Sequence, residues 1–251
     1  MSQNIYDDPE FFEGYSKMKR SVSGLEGANE WPRLRTFIPN LTGNRVLDLG
    51  CGFGWFARWA KEQGAEAVHG VDISQNMLDK AHRLTEESKH DGITYQLADL
   101  DGLRLPERDS GAYDIVFSSL AFHYLEHLPD LIGEVHRVLK PQGRFVFSVE
   151  HPIYTAPSRP GIVEVEGEPG SKYWPLNDYQ KEGLRVTNWL AEGVRKHHRT
   201  VSTYINILLA AKFELTDFDE WHPSAEELAS HPSWDSEIVR PTFLLIGATK
   251  K

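Results

Sequence analysis

A chain of 251 residues, 40 % hydrophobic and 25 % charged, is long enough to form one large domain, or a domain with a cap, around a sizeable core. Its formal net charge of −10 opposes attraction to phosphate backbones, so nucleic acid is not the expected substrate. The single cysteine, Cys51, excludes an intrachain disulfide, no apolar run could span a bilayer, and the first residues lack a basic-then-apolar leader; together these predict a cytoplasmic protein with no membrane partner.

Residues 5–38 mix aromatic side chains (Tyr6, Phe11, Phe12, Tyr15, Trp31, Phe37) with Lys17, Lys19 and Arg20, which predicts two or three short helices. The stretch Arg45-Val-Leu-Asp-Leu-Gly-Cys-Gly-Phe-Gly-Trp55 follows. Val46, Leu47 and Leu49 favour a buried strand, and Gly50, Gly52 and Gly54 leave a turn whose backbone can take positive φ and approach a ligand. Phe56, Trp59, Ala60 and Gln63 continue at helical spacing, and Gly64 is placed to stop that helix. A nucleotide-like ligand is expected on the N–H groups of this turn and the open helix end. The spacing is G-x-G-x-G rather than the dinucleotide G-x-G-x-x-G, and Asp48 precedes the first glycine by two residues. An acid there repels a pyrophosphate and suits a sulfonium or ammonium.

Val46-Leu-Asp-Leu-Gly-Cys-Gly-Phe-Gly54 resembles motif I of the class I S-adenosylmethionine-dependent methyltransferases, and the chain is similar to their type 11 domain. The resemblance implies cofactor contacts from Asp48, Gly50, Cys51, Gly52 and Gly54, and an N-terminal helix closing over the cofactor's polar tail through Tyr15 and Arg20.

Ala67–Ile73 reads as the second strand and ends in Asp72, eighteen residues after Gly54, close to the spacing at which an acid takes ribose hydroxyls. Ser74 is a natural N-cap for a helix carrying Met77, Leu78, Ala81 and Leu84, and Ile73 and Met77 are counted with the cofactor site. Ile93–Ala98 is the third strand; the resemblance puts Asp99 against the adenine amino group and Leu100 on the ring, with Asp101 a turn-former. Tyr113–Leu125 reads as a fourth strand running into a loop, bringing Ser118 and His123 to the carboxyl edge where open α/β sheets bind ligands. His123 and His127 could share a helical face as metal ligands, but no third ligand is spaced for it, so no metal is expected.

Apolar residues at 128, 131, 132, 135, 138 and 139 predict an amphipathic helix, ended by Lys140-Pro-Gln-Gly143 before a strand at Arg144–Val149. This L-K-P-x-G unit also resembles the methyltransferases, and Glu150 and His151 stand at the strand's carboxyl end. Residues 152–198 break the α/β alternation with prolines, glycines, acids and clustered aromatics, reading as a cap on the substrate side. A helix from Arg199 and strands at Phe213–Trp221 and Thr242–Ala248 complete the chain.

The fold expected is a Rossmann-like α/β sandwich of seven mostly parallel strands, with helices on both faces, an antiparallel last strand and an inserted cap. Its divisions are an N-terminal helical lid (1–39), a cofactor-binding core (40–151), the cap (152–198) and the rest of the core (199–251). The resemblance implies transfer of the methyl group of S-adenosylmethionine to an O, N, S or C atom of a small-molecule acceptor, leaving S-adenosylhomocysteine. Holding nucleophile, methyl carbon and sulfur in line would supply most of the catalysis. His123 or His151 is the candidate base and Glu150 its orienter. Rival readings are a non-catalytic S-adenosylmethionine-binding protein, a nicotinamide-dependent oxidoreductase, and a methyltransferase acting on protein or RNA. A homodimer is compatible with the sequence.

Overall fold

The computed structural model describes residues 2–168 and 170–251. In chain order come the short helices α1 (Pro9–Ser16), α2 (Lys19–Val22) and α3 (Trp31–Leu34), then β1 (Arg45–Leu49), α4 (Trp55–Glu62), β2 (Ala67–Asp72), α5 (Gln75–Ser88), β3 (Ile93–Leu97), β4 (Tyr113–Ser119), α6 (Leu128–Val138) and β5 (Leu139–Glu150). The cap holds α7 (Pro152–Thr155) and two antiparallel ribbons, β6 (Val163–Glu164) with β7 (Lys172–Tyr173) and β8 (Gly183–Trp189) with β9 (Ala191–His198). It is followed by α8 (Val201–Ala210), β10 (Phe213–Glu220), α9 (Ala225–Ser230), α10 (Ser236–Val239) and β11 (Phe243–Lys250).

Seven strands form one sheet in the order β10-β11-β5-β4-β1-β2-β3, in which only β11 runs against its neighbours. The pleat of β1 explains the layering. Leu47 and Leu49 face a core shared with Leu128, Leu131 and Val135 of α6 and Tyr204 and Leu208 of α8. Val46 faces the opposite core, with Trp31 of α3 and Phe56, Ala57 and Ala60 of α4. Asp48 shares the face of Val46, which points it toward the N-terminal segment rather than into the α6 layer.

Local signals act as their chemistry predicts. The Ser74 hydroxyl accepts the Met77 N–H (3.1 Å) and caps α5. Gly64, at φ 90°, ends α4: its N–H donates to Lys61 O (2.9 Å), and the Ala65 N–H donates to Ala60 O (3.0 Å).

Two expectations change. Strand β5 begins at Leu139 rather than Arg144, the Lys-Pro-Gln-Gly segment joining it through an irregular register against β4. The cap, which the sequence marks only by a break in the α/β alternation, contains an antiparallel ribbon of the seven-residue β8 and the eight-residue β9. Its apolar side chains Leu184 and Val186 face outward, while the buried face of β9 carries Val194, Lys196 and His198, so no apolar alternation advertised it. Among the described residues no helix is long and apolar enough to cross a membrane.

Candidate active site

A cavity of about 320 Å³ lies over the carboxyl ends of β1, β2, β4 and β5, within the size range of small-molecule sites. Its floor is the glycine turn after β1, its far walls are Asp72 and Asp99, and its roof comes from residues 2–28 and the cap.

The three glycines of the turn have different reasons to be glycine. All take positive φ (76°, 51° and 68° at Gly50, Gly52 and Gly54). A Cβ on Gly50 would meet Ala121 Cβ at 2.5 Å, and one on Gly54 would run into the Tyr95 hydroxyl. At Gly52 a Cβ would meet nothing within 4 Å; it would project into the cavity. Gly54 caps α4 and does not line the cavity, so it is corrected from a cofactor contact to a packing position.

The expected cradle of free N–H groups also needs correction. The Gly50 and Cys51 N–H groups donate to Val71 O (2.8 and 3.1 Å), the Gly52 N–H to Asp72 Oδ2 (2.8 Å) and the Gly54 N–H to Cys51 O (2.8 Å). A turn that spends these donors internally has few left for a pyrophosphate. Asp72 Oδ1 accepts the Ser74 N–H (3.0 Å) as well, so each carboxylate oxygen keeps a lone pair for a ligand hydroxyl. Burial raises the Asp72 carboxyl above its usual value despite these donors.

Asp48 is fully enclosed, and its Oδ2 has no hydrogen-bond partner. Burial, and then the charge of Asp72, push its carboxyl well above the usual range. An orphaned buried acid beside a second acid is a place for a cation or a strong donor. Among the described residues of the cavity Arg20 is paired with Glu30 and Glu150 with Lys196, which leaves Asp48, Asp72 and Asp99 without a cation, a balance that fits a positively charged ligand and not a dinucleotide.

Asp99 lines the cavity with Leu100, but its oxygens already have partners. Oδ2 accepts the Ser2 N–H (2.8 Å), and Oδ1 accepts the Ser2 hydroxyl (2.8 Å) and the Asp101 N–H (3.0 Å). Partial burial works against ionisation, yet these donors hold the carboxyl below its usual value. Asp101 accepts the Glu126 and His127 N–H groups (3.1 and 2.7 Å), tying down the loop before α6. Residues 2–7 thus run across the site as a strap. Gln3 bonds Gly193 O and the Arg195 N–H of β9 (3.0 and 2.9 Å), and Asp7 accepts the Ser74 hydroxyl (2.5 Å) and the Asn76 N–H (3.1 Å) at the head of α5.

Tyr15 and Arg20 both line the cavity, as do Cys51, Ile73 and Met77. Arg20 makes two bonds to buried Glu30 (3.2 and 3.1 Å), so its charge is matched before any ligand arrives. Tyr15 packs edge-on against Tyr6 and Phe53 (centroids 5.3 and 5.8 Å), and Tyr6 reaches the Tyr124 hydroxyl (3.3 Å).

The proposed acid–base residues divide. His123 is buried in the cavity wall, and its Nδ1 accepts the Glu150 N–H (3.3 Å), leaving the proton on Nε2. Burial lowers its pKa to about 4. At neutral pH it is an uncharged hydrogen-bond donor rather than a ready base. His151 is corrected outright: it does not line the cavity, Nδ1 accepts the Ile153 N–H (3.0 Å) as the cap of α7, and Nε2 bonds Glu220 (2.8 Å). Both its nitrogens are engaged in structure. Glu150 does line the cavity; Oε1 accepts from Lys196 Nζ (2.6 Å) of β9, and Oε2 is buried without a partner.

Ser118 is likewise corrected. It lies on the far side of the pleat, its hydroxyl donating to Leu49 O (2.7 Å), and Ser119 lines the cavity instead. His127 is exposed at the start of α6 and does not share a helical face with His123, which sits in a separate short turn. Sequence reasoning missed Ser2, Asp7, Glu30 and Lys196. Each acts through a partner at least ten residues away, a distance over which spacing carries no signal.

Fold and site together define a class: a Rossmann-like protein whose sheet edge carries an acid-lined, phosphate-averse glycine turn for a cationic nucleoside. A methyltransferase-domain family matches residues 47–147. A crystal structure of an S-adenosylmethionine-dependent methyltransferase from Mesorhizobium loti is 47 % identical, with a TM-score of 0.83 over 90 % of this chain and 100 % of that one. A Haemophilus influenzae protein of no assigned function is 34 % identical over 98 % of this chain and 97 % of its own. The malonyl-[acyl-carrier protein] O-methyltransferase of Serratia marcescens is 38 % identical, but over 42 % of this chain and 38 % of the enzyme. The chain belongs to the S-adenosylmethionine-dependent methyltransferases. S-Adenosylmethionine is its cofactor.

Proposed function

We propose that the acceptor is a small molecule, methylated at an O, N, S or C atom in the half of the cavity enclosed by the strap, the turn at His123 and the cap. The observation that carries this reading is the roof: Ser2, Tyr6 and Trp189 come from segments far apart in the chain and meet over the sheet edge. A macromolecular acceptor needs an open approach, and the net charge of −10 adds nothing to attract RNA. The named relative from Serratia acts on malonyl-[acyl-carrier protein], but its match covers under half of either chain, so its acceptor does not transfer.

In this reading Asp72 holds the ribose hydroxyls with its two unused lone pairs, and Asp99 takes the adenine amino group. Leu100 and Ile73 pack the ring, Asp48 faces the cofactor's cationic part, and Tyr15, Arg20 and Met77 complete the pocket. Gly50, Cys51 and Gly52 form its floor. Residues 1–39 serve as a lid, 40–151 and 199–251 as the core and 152–198 as the cap, in a cytoplasmic enzyme. Release of S-adenosylhomocysteine in the presence of a metabolite panel tests the reading. Turnover with small molecules supports it, and turnover only with a protein or RNA fraction overturns it.

A further inference from the structure

Lys196 and Glu150 form an ion pair that the cofactor contacts above do not use. Lys196 lies on β9 of the cap and is 4 % exposed; its ammonium sits 2.6 Å from Glu150 Oε1 and 5.1 Å from the Trp189 ring centre. Taking both charges out of water is unfavourable, so a pair of this kind needs a second reason to persist. The reason is visible at the other carboxylate oxygen. Glu150 Oε2 is buried and unpartnered, on a residue that lines the cavity.

We propose that Lys196 is a positioning residue that fixes Glu150 so that Oε2 receives the hydrogen bond of the acceptor, and that the acceptor is therefore a flat hydroxyl- or amino-bearing molecule that carries no negative charge. This rests on the small-molecule reading above. The flatness follows from the surroundings of the carboxylate. Phe243 is its cross-strand partner on β11, and Tyr124, Tyr154 and Trp189 stand in the same wall. The exclusion of an anion follows from charge. Lys196 matches Glu150 and Glu30 matches Arg20, so no cation is spare to hold a carboxylate, and an unpartnered carboxylate oxygen repels one.

In the transfer, the acceptor O–H or N–H donates to Oε2 while the new bond to the methyl carbon forms. The carbon–sulfur bond breaks with its electron pair going to sulfur, and the acceptor's proton passes to Oε2. His123, an uncharged donor through Nε2, is tied to the Glu150 backbone N–H through Nδ1 and lines the same cavity.

The test is calorimetric titration of the S-adenosylhomocysteine-loaded protein with phenol, aniline and benzoate. Phenol or aniline should bind at least tenfold more tightly than benzoate, the loss expected for a ligand that presents a like charge in place of a donor. Glu150→Gln and Lys196→Met should each weaken phenol about tenfold while S-adenosylhomocysteine affinity stays unchanged. Lys196→Arg should restore phenol binding, which a purely structural role for the lysine does not require. Benzoate binding as tightly as phenol, none of the three binding, or phenol affinity unmoved by Glu150→Gln would each overturn the proposal. The selectivity arm uses the unmodified chain, so it stands even if a variant fails to fold. If selectivity fails while S-adenosylhomocysteine still binds and small metabolites still turn over, this inference falls and the small-molecule reading survives.

Discussion

The cofactor half and the acceptor half of the cavity are built on opposite plans. In the first, Asp48 and Asp72 sit on neighbouring strands, and the glycine turn is held by its own backbone and by Asp72. In the second, Glu150, Lys196, Trp189 and Tyr6 come from segments scattered between residues 6 and 196, joined by an ion pair and ring contacts. One half rests on adjacent strands of the sheet; the other exists only once the cap and the N-terminal segment have docked. Perturbing the first should therefore tax folding and cofactor binding, and perturbing the second should tax selectivity.

The sharpest contrast lies inside the glycine turn. Gly54→Val forces a branched Cβ toward Tyr95 at positive φ and should destabilise the fold by about 3 kcal/mol or more. Gly52→Val has open space and should destabilise by only about 1–2 kcal/mol, yet abolish cofactor binding. Urea melts and calorimetry on both variants check this; equal stability losses would erase the distinction drawn between the two glycines.

His123 joins the halves, and acid should expose it. Its pKa is lowered from 6.5 to about 4, so below pH 6.5 the unfolded chain takes up a proton that the folded chain refuses. Stability is then lost progressively from about pH 6.5 down to about 4, in total on the order of 3 kcal/mol. The difference between wild type and His123→Gln in denaturant series across that range should show this slope.

Asp72→Ala should weaken cofactor binding by about 1–3 kcal/mol. It should also destabilise the fold by a similar amount, because the Gly52 and Ser74 N–H groups lose their acceptor. A variant of unchanged melting temperature would contradict the structure. Asp48→Asn should act oppositely on the two properties. The wild-type carboxyl is raised, so above the ordinary carboxylate range the unfolded chain gives up its proton more readily and folding is penalised. The amide removes that penalty at neutral pH, and the gain should vanish in acid where the wild type is protonated in both states. Cofactor affinity should fall by about 1 kcal/mol.

The smallest effect belongs to the far end of the cap. Replacing 160–171 by a glycine–serine linker should leave stability within about 0.5 kcal/mol and turnover unchanged, since the described residues there are mostly exposed and the cavity draws on Tyr154 and Trp189 instead. Loss of turnover would move the acceptor contacts outward from β8 and β9.

The same division explains what the sequence disclosed. Strand β1, the glycine turn, the Ser74 cap and the α6 periodicity are local patterns, readable from residue types and spacing within each segment even though β1 and the turn find their partners on β2. Ser118 and Ser119 differ only in pleat phase, and the expectation fell on the wrong side of it. His151 stood at the right strand end but was absorbed by α7 and Glu220, a partner 69 residues away. The β8–β9 ribbon was hidden because its buried face carries Lys196 and His198, which look like surface residues until Glu150 and Tyr179 meet them.

The strap over Asp99 gives ligand exchange its own clock. A donor reaching that carboxylate finds Ser2 already there through both its N–H and its hydroxyl, so it must share Oδ2 with the strap or displace it. Gln3 and Asp7 fasten the same six residues to β9 and to the head of α5, and all these bonds must rearrange together for the strap to lift. Residence time reflects how often residues 2–7 let go.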